Sequence, residues 1–139
     1  MKSLRTLLKL ARADLETLRR AMADQIQRQT TLEQRILGHE QTVRTEQDLA
    51  RRDYDSARAY GGYAVAAVAA RRALDSERDV IAAEIERLRG LIAEAHVETR
   101  KFERLIELQE ARENAAREKR EDADADEMAT IRAGRARSL

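Results

Sequence analysis

Two histidines, His39 and His96, are the side chains best suited to move a proton or hold a metal ion near neutral pH. They are not spaced as a ligand pair, and the chain has no cysteine to join them. His39 falls on an apolar stripe opposite Ile85, which predicts a half-buried, hydrogen-bonded ring, and His96 is expected on the solvent side. The acidic run Glu121–Glu127 has the oxygen ligands for weak cation binding. On a helix such a run reads first as a solvated face. No glycine-rich phosphate loop is present, and no nucleophile stands near a base at a recognisable spacing. The expectation is a protein with no catalytic residues, no metal and no cofactor.

The aromatic residues are more informative. Tyr54, Tyr60 and Tyr63 are crowded into one short stretch, followed by the smooth, uncharged run Ala64-Val65-Ala66-Ala67-Val68-Ala69-Ala70. Two helices cannot bury all of that surface between themselves. Exposed aromatics beside small apolar residues suit a docking site for another protein. The other reading open at this point folds the tyrosines over the alanines. A second surface carries Arg12, Arg19, Arg20, Arg104 and Arg112, alternating with Glu16, Glu103, Glu107, Glu110 and Glu113. By charge alone it is ordinary solvated helix.

Positioning these residues falls to two long amphipathic helices. One stripe steps by threes and fours through Leu4, Leu8, Ala11, Leu15, Leu18, Met22, Gln25, Gln29, Leu32, Ile36, His39, Val43, Glu46, Ala50, Asp53, Ala57 and Tyr60. Another runs through Ala64, Ala67, Arg71, Leu74, Arg78, Ile81, Ile85, Leu88, Ile92, Ala95, Thr99, Phe102 and Ile106. This is the period of a coiled-coil seam. Gly61 and Gly62, the adjacent glycines between the stripes, predict the reversal. The predicted fold is all-α: a long antiparallel two-helix coiled-coil hairpin forming a single domain over 1–139. Its helices are predicted over 3–59, capped by Ser3, and over 64–131, with a turn at 60–63 and a frayed tail at 132–139.

Folding at the glycines matches positions whose numbers sum to 124. Val43 then meets Ile81, Ile36 meets Leu88, Leu32 meets Ile92 and Met22 meets Phe102. Two polar interruptions of the seam also meet, Asp53 with Arg71 and Glu46 with Arg78. Residues beyond about Lys119 have no partner, and Gly90 reads as a tolerated surface glycine. Leu7, Leu37, Leu91 and Leu105 are left over and offer surface for a dimer.

Composition agrees with a narrow seam rather than a thick core. Of 139 residues 38% are charged and only 3% aromatic, and there is no proline to interrupt a helix. The net charge is +1 with signs interleaved, against the one-sided basic stripe of a nucleic-acid-binding surface. The longest apolar run, from Tyr63 to Ala70, is too short to span a bilayer, and the N-terminal leucines are interrupted by Lys2, Arg5, Lys9 and Arg12. Those four cations permit a membrane-surface helix, for which no binding is expected.

The opening Met1-Lys2-Ser3-Leu4, with Leu7-Leu8-Lys9-Leu10 and Leu15-Glu16-Thr17-Leu18-Arg19-Arg20, resembles the start of FliJ proteins of the bacterial flagellar export apparatus. The segment Glu98-Thr99-Arg100-Lys101-Phe102-Glu103-Arg104-Leu105-Ile106-Glu107 is similar to that family's second helix, and Asp124-Ala125-Asp126-Glu127-Met128-Ala129 matches a family ending. The resemblance implies a non-enzymatic coiled-coil stalk and adaptor of flagellar type III protein export, in the cytoplasm and peripheral to the inner membrane at the flagellar base, without insertion. It implies that the end bearing the termini enters the hexameric ring of a FliI-like export ATPase, here through Arg12, Arg19, Arg20, Arg104 and Arg112. It implies contact with the cytoplasmic region of a FlhA-like export gate, carried by location and type onto Tyr54, Tyr60, Tyr63, Val65 and Leu74. Export chaperones are further implied partners. The alternatives are a generic coiled-coil scaffold and the stalk of a related virulence secretion system.

Overall fold

The structure, a computed structural model, describes residues 2–138. It is an all-α helical hairpin of two elements, α1 over Lys2–Arg52 and α2 over Tyr54–Arg137. Without proline, nothing removes a backbone donor from either helix. Threonines, poor helix formers, are accommodated by back-bonding: Thr6, Thr30, Thr42, Thr45, Thr99 and Thr130 each donate the hydroxyl to the carbonyl four residues earlier.

The chain forms two compact units: Met1–Ala13 with Ala95–Leu139, and Asp14–Glu94. In the second unit the core is a cluster of Leu32, Ile36, Leu74, Ile81 and Ile85, with Met22 packed against it. Leu32 is only 2% exposed, and burying a leucine to this degree contributes roughly 2 kcal/mol. In the first unit Ala11 and Thr99 are buried, and Thr99 stays satisfied by its bond of 2.9 Å to Ala95.

The reversal is not at the glycines. The single break between the helices is Asp53, and Gly61 and Gly62 lie inside α2 with no positive φ among the described residues. The local sequence explains this. Arg51 and Arg52 occupy the last turn of α1, where cations suit the exposed carbonyls, and Asp55 occupies the first turn of α2, where an anion suits the exposed amides. Asp53 stands at the N-cap position, accepting from the Ser56 hydroxyl at 2.9 Å. Beyond it, α2 rewards helix through the glycines: Tyr60, Tyr63 and Ala64 are half-buried and Ala67 is buried. That burial offsets the roughly 1 kcal/mol that each glycine costs a helix.

Moving the turn moves the register. In the Asp14–Glu94 unit the cross-helix ion pairs join Arg71 to Glu40, Arg78 to Glu33 and Arg35 to Glu77, residue numbers that add to 111 or 112 rather than 124. In the other unit Arg12 joins Glu103 and Arg5 joins Glu110, numbers that add to 115. The expected pairs Asp53–Arg71 and Glu46–Arg78 do not form; both arginines are held by other carboxylates and the Asp53 carboxylate accepts from the Ser56 hydroxyl. Likewise Ile36 and Leu32 share their cluster with Leu74 and Ile81 in place of the expected Leu88 and Ile92.

The boundaries shift accordingly. Ser3 lies within α1, which starts at Lys2, so it is not the cap. The stretch expected to fray remains helical through Arg137; Leu139 lies outside the described residues. Every described residue from Glu110 onward is exposed, so this part of α2 has no packed partner in the hairpin. Gly90 is an exposed surface glycine with open space around it, as expected.

Candidate partner-binding surfaces

The strongest candidate surface lies in the Asp14–Glu94 unit, just after the turn. From Ala59 to Ala70 the chain carries no charge. The seam takes Ala67 and half-buries Tyr60, Tyr63 and Ala64, leaving the remaining faces of this stretch in solvent. Tyr60 and Tyr63 pack with centroids 6.1 Å apart and planes tilted by 39°, a contact that fixes both rings. Tyr54 and Val65 stand 76% and 74% exposed, and Val68 is exposed beside them. Tyr60 and Tyr63 are half-buried against the hairpin, whereas Tyr54 is exposed.

Leu74 does not belong to this surface. It is 9% exposed and sits in the core cluster, so it holds the helices together rather than facing a partner. The residues that line a shallow cleft here are instead His39, Glu40, Val43, Tyr60, Ala64, Ala67, Val68 and Arg71, around about 260 Å³. His39 is half-buried on this seam, as its position predicted. The cleft brings α1 residues to the tyrosines, which required the correct register; the sequence signal that would have supplied it is the Arg-Arg-Asp-Tyr-Asp capping pattern at 51–55.

Electrostatics hold the floor of the cleft. The Arg71 guanidinium donates to Glu40 at 2.6 Å and to Asp75 at 3.1 Å, and Arg78 donates to the same Asp75 oxygen at 2.8 Å. The hydrogen bond from Arg71 holds the Glu40 carboxyl below its ordinary range. Partial desolvation pushes Asp75 up, but the hydrogen bonds and charges of Arg71 and Arg78 together outweigh it and lower it. Arg71 is raised in turn, by Glu40 first. Among the expected seam residues Arg71 and Arg78 are therefore structural, while Glu46 is half-buried.

A larger open groove, about 810 Å³, lies farther along the same unit between Gln25–Arg35 and Glu77–Arg87. Its charged rim is mostly paired, Arg35 with Glu77 at 3.2 Å and Arg87 with Glu84 at 2.7 Å. It gathers no set of groups able to do chemistry.

The arginines expected to face an ATPase divide between the units. Arg12, Arg104 and Arg112 are in the unit that contains the termini. Arg12 pairs with Glu103 at 3.3 Å, Arg104 with Glu107 at 3.3 Å, and Arg112 is exposed. Arg19 and Arg20 belong to the Asp14–Glu94 unit, where both are exposed and Arg20 pairs with Glu16 at 3.4 Å. A small cleft of about 400 Å³ in the termini unit is lined by Arg5, Leu8, Lys9, Arg12, Ile106 and Glu110.

His96 is exposed, as expected. Among the described residues no group of three or more His, Cys, Asp or Glu side chains is placed to hold a metal ion, the acidic run at 121–127 included. No helix among them is long and apolar enough to cross a membrane. Comparison with protein-family models, with curated proteins and with solved structures finds no match.

Proposed function

We propose that the chain is a non-enzymatic stalk and adaptor of flagellar type III protein export. It binds a FliI-like export ATPase ring through its charged surface and a FlhA-like export gate through its tyrosine surface, at the cytoplasmic face of the inner membrane, with export chaperones as further partners. The reading rests on the resemblance of the terminal and Lys-Phe-Glu-Arg segments to FliJ proteins. The observation that supports it on the molecule itself is the uncharged stretch after the turn, with Tyr54 and Val65 largely exposed on a hairpin whose core is built from other residues. Exposed apolar surface of this kind on a two-helix scaffold is a protein contact more readily than a substrate site.

The direct test is co-purification of the tagged chain with the flagellar export ATPase and with the cytoplasmic region of the export gate from the same cells. Capture of both is the expected result. Capture of neither, alongside specific capture of a virulence-type export ATPase, would move the protein to that system; capture of no ATPase would reduce the reading to a coiled-coil scaffold.

A further inference from the structure

We propose that the hairpin opens at Asp53 and exchanges helices with a second copy of the chain, α1 of each copy packing on α2 of the other. The inference goes beyond the export reading and does not rest on it. It begins from how little separates the two helices. Asp53 is the single residue between α1 and α2, and hydrogen bonds at helical spacing stand on both sides of it: Asp53 donates to the Leu49 carbonyl at 3.0 Å, and Ala57 donates to the Asp53 carbonyl at 3.0 Å. No described residue has a positive φ, and no glycine or proline occurs between Leu49 and Tyr60. Continuing the helix through this point therefore asks for no forbidden backbone geometry. Residues 51–55 are all exposed, so straightening them uncovers no packed side chain.

The second copy is specified by what the exchange preserves. Each cross-helix ion pair joins one α1 residue to one α2 residue: Glu40 with Arg71, Glu33 with Arg78 and Arg35 with Glu77 in one unit, Arg12 with Glu103 and Arg5 with Glu110 in the other. The core cluster divides the same way, Leu32 and Ile36 from α1 against Leu74, Ile81 and Ile85 from α2. All of these contacts can be remade between copies in the same register and with the same charge complementarity. No other partner reproduces that set. The contact of Asp53 with Ser56 joins side chains three residues apart and can persist in either form, so what is peculiar to the closed hairpin is the helix break at Asp53 itself. The short connection gives α1 a high effective concentration beside its own α2, so the closed monomer prevails when the protein is dilute. Exchange grows with concentration, as expected for a short hinge between two self-complementary elements.

The test uses the full chain, which has no cysteine of its own. After refolding at high concentration, light scattering should resolve a species at twice the 15.9 kDa monomer mass. Asp53→Ala replaces a residue suited to a helix break by the strongest helix former in both chains and should tighten dimerisation on the order of tenfold. Two glycines inserted after Asp53 should relax the turn and lower the dimer fraction. To identify the exchange, Glu40→Cys and Arg71→Cys are placed in one chain and joined with a short bis-maleimide. An exchanged dimer then stays dimeric in denaturant, whereas two closed hairpins associated side by side fall apart into single cross-linked chains. The latter result, or a monomer at every concentration for both the parent and Asp53→Ala, overturns the proposal. Should Asp53→Ala lose helicity, the glycine insertion decides: an unchanged dimer fraction overturns it as well.

Discussion

Gly61 and Gly62 are exposed helical residues, and a β-carbon added at either meets nothing within 4 Å. Glycine there exposes backbone and adds freedom to the unfolded chain with no return inside the hairpin. Gly61→Ala with Gly62→Ala should therefore raise stability by about 1–2 kcal/mol in all, read as a higher melting temperature by circular dichroism. A lower melting temperature would mean that the glycines do serve the reversal. The carboxylates held by Arg71 and by Arg87 make a second prediction. Glu40, Asp75 and Glu84 all titrate below their ordinary values of 4.5, 3.8 and 4.5 when folded, so the unfolded chain binds protons first as pH falls. Their contribution is complete above about pH 4.5 and is lost as pH drops through the lowered folded values. The melting temperature should hold from neutral pH to about 5 and fall below that, and Glu40→Gln with Asp75→Asn should flatten the fall. An equal slope in the double variant would place the acid sensitivity elsewhere.

At the scale of elements, the stripes and their pairing were legible to different degrees. Every stripe position from Leu4 to Ala50 and from Tyr60 to Ile106 is buried or half-buried. Helical periodicity reports which side faces inward, and that much a single helix determines by itself. It does not report register, because sliding one helix by whole turns keeps the same side inward. Register came down to where the chain reverses: with the turn at Asp53 in place of Gly61-Gly62, the pairing sum drops from 124 to 111 or 112. Reading Gly-Gly as the stronger signal over Arg-Arg-Asp-Tyr-Asp misplaced the turn, and with it Asp53–Arg71, Glu46–Arg78 and the role of Leu74. The tail was legible only in part: it lacks a packed partner from Glu110 rather than from about Lys119, and the end expected to fray is helical through Arg137. From Glu110 on, α2 is a helix with no packed face, held by propensity and local contacts such as Arg117 with Asn114 at 3.1 Å. A chain ending at Lys119 should thus melt within roughly 3 °C of the full one. A larger loss would reveal packing of the tail onto something, a second copy included.

For the whole molecule, the export reading requires two separable surfaces, and the structure offers substitutions that can test them independently. Tyr60→Ala with Tyr63→Ala removes the paired rings from the uncharged stretch in the Asp14–Glu94 unit, where neither is part of the buried core. Arg104→Ala with Arg112→Ala removes two exposed charges from the unit that contains the termini, where the one bridge lost is a surface i,i+3 pair of little energetic weight. Neither change should reduce helicity by circular dichroism. The tyrosine variant should bind the gate fragment at least about tenfold more weakly, since paired interfacial aromatics commonly carry about 1–2 kcal/mol or more, while still binding the ATPase. The arginine variant should bind the gate normally and the ATPase more weakly, by a margin that narrows at raised salt, because the contribution removed is electrostatic and screened. If both variants lose both activities, one surface serves both partners and the division of labour is wrong. If the tyrosine variant binds the gate like the parent, the uncharged stretch serves another contact.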